Sequence, residues 1–247
     1  MLTKKLVKYS MRNFRSKRTL KRLRNSRLQI FPNVRHAQRV FASKHSRFPT
    51  WNGLTAVTES PSGAEATGLY ADNIKYLNLI SAEEFGGTIE AYMAPDEFAE
   101  CDGSVEVAPG VYAGQQSRKM FGLAYTTIIG NDVDSNDHGY EIHLVYGCMA
   151  SPSEKGYESV NDSPAALTLS WDFTTTPVNI TSVVDEVTKL KPTATLVFKS
   201  TKVDAKKMAA LEDILYGKDP TGADTNDGVE PRLPLPDEII SIMKAVG

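Results

Sequence analysis

The chain has 247 residues, 41% of them hydrophobic and 23% charged, which is enough apolar content for one large or two modest domains with a real core. No apolar run approaches the length a membrane-spanning helix needs, and no sustained apolar stretch follows the first positive charges, so neither a membrane span nor a secretory signal is expected. The net charge of −2 conceals a division: residues 1–50 carry 15 Lys or Arg and no Asp or Glu, while the other 13 basic residues share residues 51–247 with all 30 acidic ones, a balance of +15 against −17.

Residues 1–50 are rich in Arg, Lys and Ser, with apolar residues scattered at no clean period. Three readings stay open for them: an arm that binds nucleic acid or membrane through charge, an organelle transit peptide, or a leader foreign to the domain. A basic amphipathic helix over Leu2–Leu28 is compatible with the first two. None of the three places the segment in the main core, so 1–50 is expected to lie outside it and 51–247 to form the folded domain.

From Trp51 onward, short runs alternate with period two, as half-buried strands require. Ile89, Ala91 and Met93 form one such set; Phe121, Leu123 and Tyr125 form another. Ile142, Leu144, Tyr146 and Cys148 repeat the pattern. Leu167, Leu169, Trp171 and Phe173 share one face, opposite Thr168, Ser170, Asp172 and Thr174, and Ala194, Leu196 and Phe198 close the series. Clusters of Gly, Pro, Asn and Asp separate these runs, so the body is expected to be mainly β. Trp51 reads as a residue at the start of the domain and Trp171 as a core residue.

Helices are expected at three places. A single turn is predicted at Pro95–Glu100, with proline at its start. A longer helix is predicted over Asp204–Tyr216: Asp204 is a good N-cap, Val203 and Met208 have the spacing of a hydrophobic staple, and Met208, Leu211 and Leu215 fall on one face with Ile214 beside them. Gly217 is placed to end it in a left-handed conformation. A shorter helix follows at about Asp237–Ala245, after a solvated loop over Lys218–Pro234.

The stretch GNDVDSNDHGYE, Gly130–Glu141, invites comparison with a calcium loop. Counted from Asp132, ligands at positions one, three and five are Asp132, Asp134 and Asn136, but the sixth position is Asp137 instead of glycine and the twelfth is His143 instead of glutamate. Strands flank it, so it reads as a β-hairpin turn. The loop carrying Asp224, Asn226, Asp227 and Gly228 fails the same spacing test. Of the four histidines, His36 and His45 lie in the basic segment, His138 in the hairpin loop and His143 on the polar face of a strand. No serine sits in a nucleophile elbow, and Gly86–Gly87 precede a strand instead of a helix. Cys101 and Cys148 cannot make a metal cluster unaided and read as half-buried thiols. The chain is read as no enzyme, with no metal and no cofactor.

The run WNGLTAVTESPSGAEATGLYADNIKYLNLISAEEFGGTIEAYMAPDEFAECDGS, Trp51–Ser104, resembles the major tail (tail tube) proteins of long-tailed bacteriophages. The resemblance continues in order through QQSRKMFG (Gln115–Gly122), GYEIHLVYG (Gly139–Gly147), NDSP (Asn161–Pro164), WDFTTTP (Trp171–Pro177), STKVDAKKMAALEDILYG (Ser200–Gly217) and RLPLPDEI (Arg232–Ile239), covering nearly all of 51–247. It implies the tail-tube fold, an antiparallel β-sandwich or barrel-like body with one flanking α-helix and a short C-terminal helix. It also implies hexameric rings that stack into a virion tail tube, assembled in the bacterial cytoplasm. The implied partners are further copies of the chain, the tape-measure protein, tail terminator and tail-tip proteins, and genomic DNA that passes through the lumen without specific binding. It implies no catalytic residues and no membrane. It also implies a less basic, strand-containing N-terminus, so one strand of the body or one inter-ring contact is expected to be missing here.

The residues themselves agree on a β-rich body with one well-capped helix. The charge of −17 over 51–247 suits a conduit that repels phosphates instead of gripping them. Glu90 and Asp172, on polar strand faces, are the candidates for the lumen. Tyr70, Asp72 and Asn73 in the YADN segment are candidates for contact between subunits, and equally read as a turn. Two readings of other classes stand beside this one: a free β-sandwich module that binds a glycan or a cation, and a nucleic-acid binder driven by residues 1–50.

Overall fold

The computed structural model describes residues 20–23, 28–32, 50–157, 159, 166–181, 190–218 and 228–245. The NDSP motif, His36, His45, the segment before residue 20 and the Asx-rich part of the 218–234 loop lie outside the described residues. In chain order the strands are β1 (Leu20–Leu23), β2 (Leu28–Pro32), β3 (Thr50–Trp51), β4 (Leu54–Glu59), β5 (Ser62–Gly63), β6 (Ala66–Ala71), β7 (Ile74–Ile80), β8 (Glu83–Glu84), β9 (Gly86–Ala91), β10 (Val105–Ala108), β11 (Val111–Ala113), β12 (Phe121–Asn131), β13 (Ser135–Ala150), β14 (Leu169–Thr175) and β15 (Thr195–Lys199). Two helices follow, α1 (Ala205–Tyr216) and α2 (Pro236–Ala245). The fold is mainly β, with antiparallel sheets and two helices, as the alternating runs predict.

Nine strands make the main sheet, in the order β3-β2-β12-β13-β14-β9-β4, with β1 also on β12 and β15 also on β13. Only Asn52 and Gly53 separate β3 from β4, so this order begins and ends on neighbouring stretches of chain. Two pieces of the basic segment, expected to stay apart from the body, are hydrogen-bonded into it: β1 and β2 pair along the β12 edge that β13 leaves free. Over Leu20–Leu23 and at Leu28 this corrects the helix expected across Leu2–Leu28, the rest of which lies outside the described residues. An exposed strand edge offers unpaired N–H and C=O groups, and any extended segment can satisfy them whatever its charge.

β13 is the axis of the fold. Its edge away from β12 pairs with β15 over Glu141–Val145 and with β14 over Cys148–Ala150. Gly147 lies between the two ladders at φ +60, where a Cβ would sit 2.3 Å from the Thr176 carbonyl oxygen. Its carbonyl accepts from the Thr176 N–H at 3.0 Å, while Tyr146 N–H still reaches Ala194 O at 2.8 Å. The extra residue reverses the alternation, as a β-bulge does. Ile142, Leu144 and Tyr146 therefore pack under the helices, whereas Cys148 joins Val145 in the core on the opposite face. The sequence pattern placed all four even-numbered residues together, and the bulge separates the last.

Each face of β12–β13 carries its own core. On one side Ala124, Ile142, Leu144 and Tyr146 meet Met208, Leu211 and Leu215 of α1 and Ile239 of α2. Asp204 caps α1 by accepting the Lys206 N–H at 2.8 Å, as predicted. Gly217 ends the helix at φ +78 but with ψ 161, extended instead of left-handed helical. On the other side β9, β14 and the 3₁₀ turn Asp96–Phe98 close over Phe121, Leu123 and Val145. Trp51 is fully buried at the centre of this core, against Phe98 and Trp171, and its indole N–H donates to the Met93 carbonyl. It is a core residue in its own right, beyond the boundary role its place in the sequence predicts. Met93, expected on the inner face with Ile89 and Ala91, is exposed because β9 ends at Ala91.

The GNDVDSNDHGYE stretch is a hairpin turn, tighter than its polar composition predicts. The strands run on to Asn131 and Ser135, which pair with each other. The Asn131 side-chain oxygen accepts the Val133 N–H at 3.0 Å, and its amide donates to Asp134 Oδ2 at 3.1 Å.

Candidate functional site

The most distinctive surface feature begins where β4 leaves the sheet. β4 pairs with β9, β5 with β8, and β6 with β7. From Ala56↔Glu90 out to Leu69↔Leu77, each step along the outgoing strand is matched by one step back on the returning strand. The three pairs are thus one two-stranded ribbon in a single register, which shifts at the base between Leu54 and Ala56 and again at the bulge beside Tyr70. Ala71 at the tip is twelve positions beyond Glu59 at the root, which at about 3.3 Å per residue is roughly 40 Å along the strand.

The tip is a two-residue turn. Asp72 (φ 50) and Asn73 (φ 61) both take positive φ, the combination that suits the twist of a tight hairpin and that Asp and Asn tolerate best. The YADN segment is therefore a turn, and the candidate contact residues Tyr70, Asp72 and Asn73 all sit on the end of the arm. Tyr70 and Lys75 face each other across the strands and lie over Gly68, where a Cβ would meet the Lys75 chain at 2.8 Å and the Tyr70 ring at 3.2 Å.

The outer arm is apolar and uncovered. Tyr70 is 73% exposed, Ile74 64%, Tyr76 77% and Ile80 68%; Leu69, Leu77 and Leu79 are also exposed. Leu69 is directly opposite Leu77, and Leu79 is two residues on along the same face. A lone two-stranded ribbon is marginally stable in water, and a contiguous apolar patch on a soluble surface marks a contact. The strand pattern of TGLYADNIKYLNLI was the sequence signal for this arm. Both faces of these strands carry apolar residues, so no polar–apolar alternation marks the arm in the sequence.

At the root the arm is pressed onto the body. A Cβ on Gly87 would lie 2.4 Å from Thr58 O and 2.9 Å from the Phe173 ring, so only glycine lets β9 pass between them. Phe85 O accepts both the N–H and the hydroxyl of Thr175, at 3.1 and 2.6 Å. Beside this contact is an open groove of about 340 Å³ lined by Ser60, Glu84, Thr88, Asp172 and Thr174 among others.

The candidate acidic residues are brought onto one face. Ser170 pairs with Glu90 and Asp172 with Thr88, whose hydroxyl donates to the Asp172 carboxylate at 2.6 Å. Trp171 and Phe173, on either side of Asp172, point into the core, so Asp172 and the half-buried Glu90 share the outward face of β9–β14.

A buried polar cluster under the root escaped the sequence pattern, which put His143 on a polar strand face. His143 is only 6% exposed and its ring stacks on Tyr125, centroids 4.7 Å apart and 4° from parallel. Its Nδ1 is 3.2 Å from Glu59 Oε1, and its Nε2 is 3.1 Å from the Thr127 hydroxyl and 3.5 Å from Glu141 Oε2. The Tyr125 hydroxyl donates to the same Glu59 oxygen. Burial, and then that bond, push the Tyr125 phenol well above its ordinary value, so it remains a donor. Glu141, 1% exposed, is paired with Lys199 at 3.1 Å. Glu59 is separated from β13 by two intervening strands of the sheet, β14 and β9, and sequence spacing does not match it to this cluster.

Among the described residues no group of three or more His, Cys, Asp or Glu is placed to hold a metal ion. No family model and no curated protein sequence matches the chain.

Proposed function

We propose that this chain is a self-assembling structural protein, the repeating subunit of a bacteriophage tail tube, in which hexameric rings stack and enclose a lumen that conducts DNA. The observation that carries the reading is the in-register arm with its uncovered outer half. Seven large apolar side chains on one ribbon gain most by burial against another protein surface, each contributing about 1.5–3 kcal/mol when fully covered. A second copy of the chain is the partner that every subunit meets in a closed ring or a stack of rings. Three further features support it: the resemblance carried by residues 51–247, the excess of acidic residues there, and Glu90 and Asp172 on one outward sheet face. In this reading that face lines the lumen and keeps phosphates from adhering. The tape-measure protein occupies the lumen before DNA does, and tail terminator and tail-tip proteins bound the stack.

Light scattering on the full chain and on Leu77→Asp tests this. The expected result is a hexamer, or multiples of it, for the wild type and a folded monomer for the variant. A wild type that stays monomeric at high concentration, or a variant that assembles as well as the wild type, counts against it.

A further inference from the structure

The arm leaves the body at Glu59, the last residue of β4, and among the described residues β4 pairs with β9 and not with β12 or β13. The tie is made by side chains. The Glu59 carboxylate accepts from the Tyr125 hydroxyl on β12 and lies 3.2 Å from His143 Nδ1 on β13, a close approach without hydrogen-bond geometry. The other ring nitrogen of His143 is held by Thr127 and faces Glu141, which Lys199 on β15 pairs in turn. Three strands thus meet at one carboxylate at the point where the chain departs, and β15 joins the cluster only through Lys199 and Glu141. The returning strand has its own anchor in Phe85 and Thr175.

We propose that Glu59, Tyr125 and His143 form a latch that sets the direction of the arm. Closed, it fixes the outgoing strand against β12–β13 and presents the apolar outer half at one angle. Open, it leaves the arm hinged on the Phe85–Thr175 anchor, free to swing while the main sheet stays intact. Gly63 and Ala64, just beyond the root, both take positive φ where the ladder is interrupted between Gly63↔Glu83 and Ala66↔Ile80. The latch acts within one subunit and holds whatever the arm docks on.

The test reads the distance from arm tip to body by spin-label spectroscopy. Labels go on Asn73→Cys at the tip and on Ala209→Cys, which is exposed on α1; the native Cys101 and Cys148 are buried. Labelled full chain is diluted in excess unlabelled chain so that only distances within one subunit are read, and amide exchange is followed in parallel. With the latch intact a single narrow distance is expected. Glu59→Gln, Tyr125→Phe and His143→Gln are each expected to lose that narrow distance and to speed exchange at the root, while exchange over β12–β13 stays at the wild-type rate. Thr88→Ala, beside the root but outside the latch, is expected to keep the narrow distance. The proposal is overturned if Glu59→Gln and Tyr125→Phe keep it too, or if exchange over β12–β13 rises in step with the root, since the cluster then only supports the fold.

Discussion

Trp51 meets Trp171 edge-on, ring centroids 5.1 Å apart and planes at 67°, although 120 positions separate them in the chain. Phe98 touches both, at 4.8 and 5.7 Å. This aromatic cluster joins the junction of β3 and β4, where the two ends of the sheet order meet in the chain, to the middle of β14. Trp51→Ala should cost about 3–5 kcal/mol, the range for deleting a buried large aromatic ring. Urea unfolding followed by far-UV circular dichroism measures it, and a loss under about 1 kcal/mol would contradict the central placement of Trp51.

Gly147 and Gly110 make a matched pair, since both have positive φ, +60 and +78. A Cβ on Gly110 meets nothing within 4 Å, whereas on Gly147 it strikes Thr176 O at 2.3 Å. Gly110→Ala should therefore cost only the conformational penalty of about 1–2 kcal/mol. Gly147→Ala should cost clearly more, because the bulge that divides β13 between β14 and β15 has to shift. Equal losses for the two variants, read from denaturant midpoints, would show that the bulge is not needed.

Both thiols should be silent in the native protein. Burial, and next the Glu100 carboxylate, push Cys101 up to about 12, and burial holds Cys148 well above its ordinary value. At pH 8 neither forms appreciable thiolate, and neither is open to solvent. Iodoacetamide is expected to label neither thiol in native protein and both after denaturation, as counted by intact mass.

The β12–β13 turn supplies a pH test. Hydrogen bonds from His138 and then Asn131 hold the Asp134 carboxyl below its ordinary 3.8. The folded turn therefore binds this proton less readily than the unfolded chain. Its contribution is complete above 3.8 and is lost as the pH falls through the lower folded value. A carbon-detected NMR titration should find Asp134 below 3.8 in the wild type and moved back toward it in His138→Ala. An unchanged midpoint in the variant would reject the contact.

The parts of the fold that were legible in the sequence are those where one local signal dominates. Asp204 with the Met208, Leu211 and Leu215 stripe announces α1, and the alternation around Trp171 announces β14. What was illegible depends on pairing across long separations. The reversal at Gly147 looks like any strand glycine until Thr176 is seen against it. The sheet positions of β1 and β2 follow from a free β12 edge that no local pattern in residues 20–32 reveals. Tyr70, Asp72 and Asn73 read as a turn from composition alone, but the arm that carries them outward is visible only in the continuous register of its three strand pairs. The Glu59–His143 contact joins residues 84 positions apart, and nothing in either neighbourhood points to the other.

The most direct measurement is negative-stain electron microscopy of the purified full chain at high concentration. The account predicts six-fold rings or stacked tubes with an open lumen, absent when the arm carries Leu77→Asp. A field of single, monodisperse particles from the wild-type chain would contradict it.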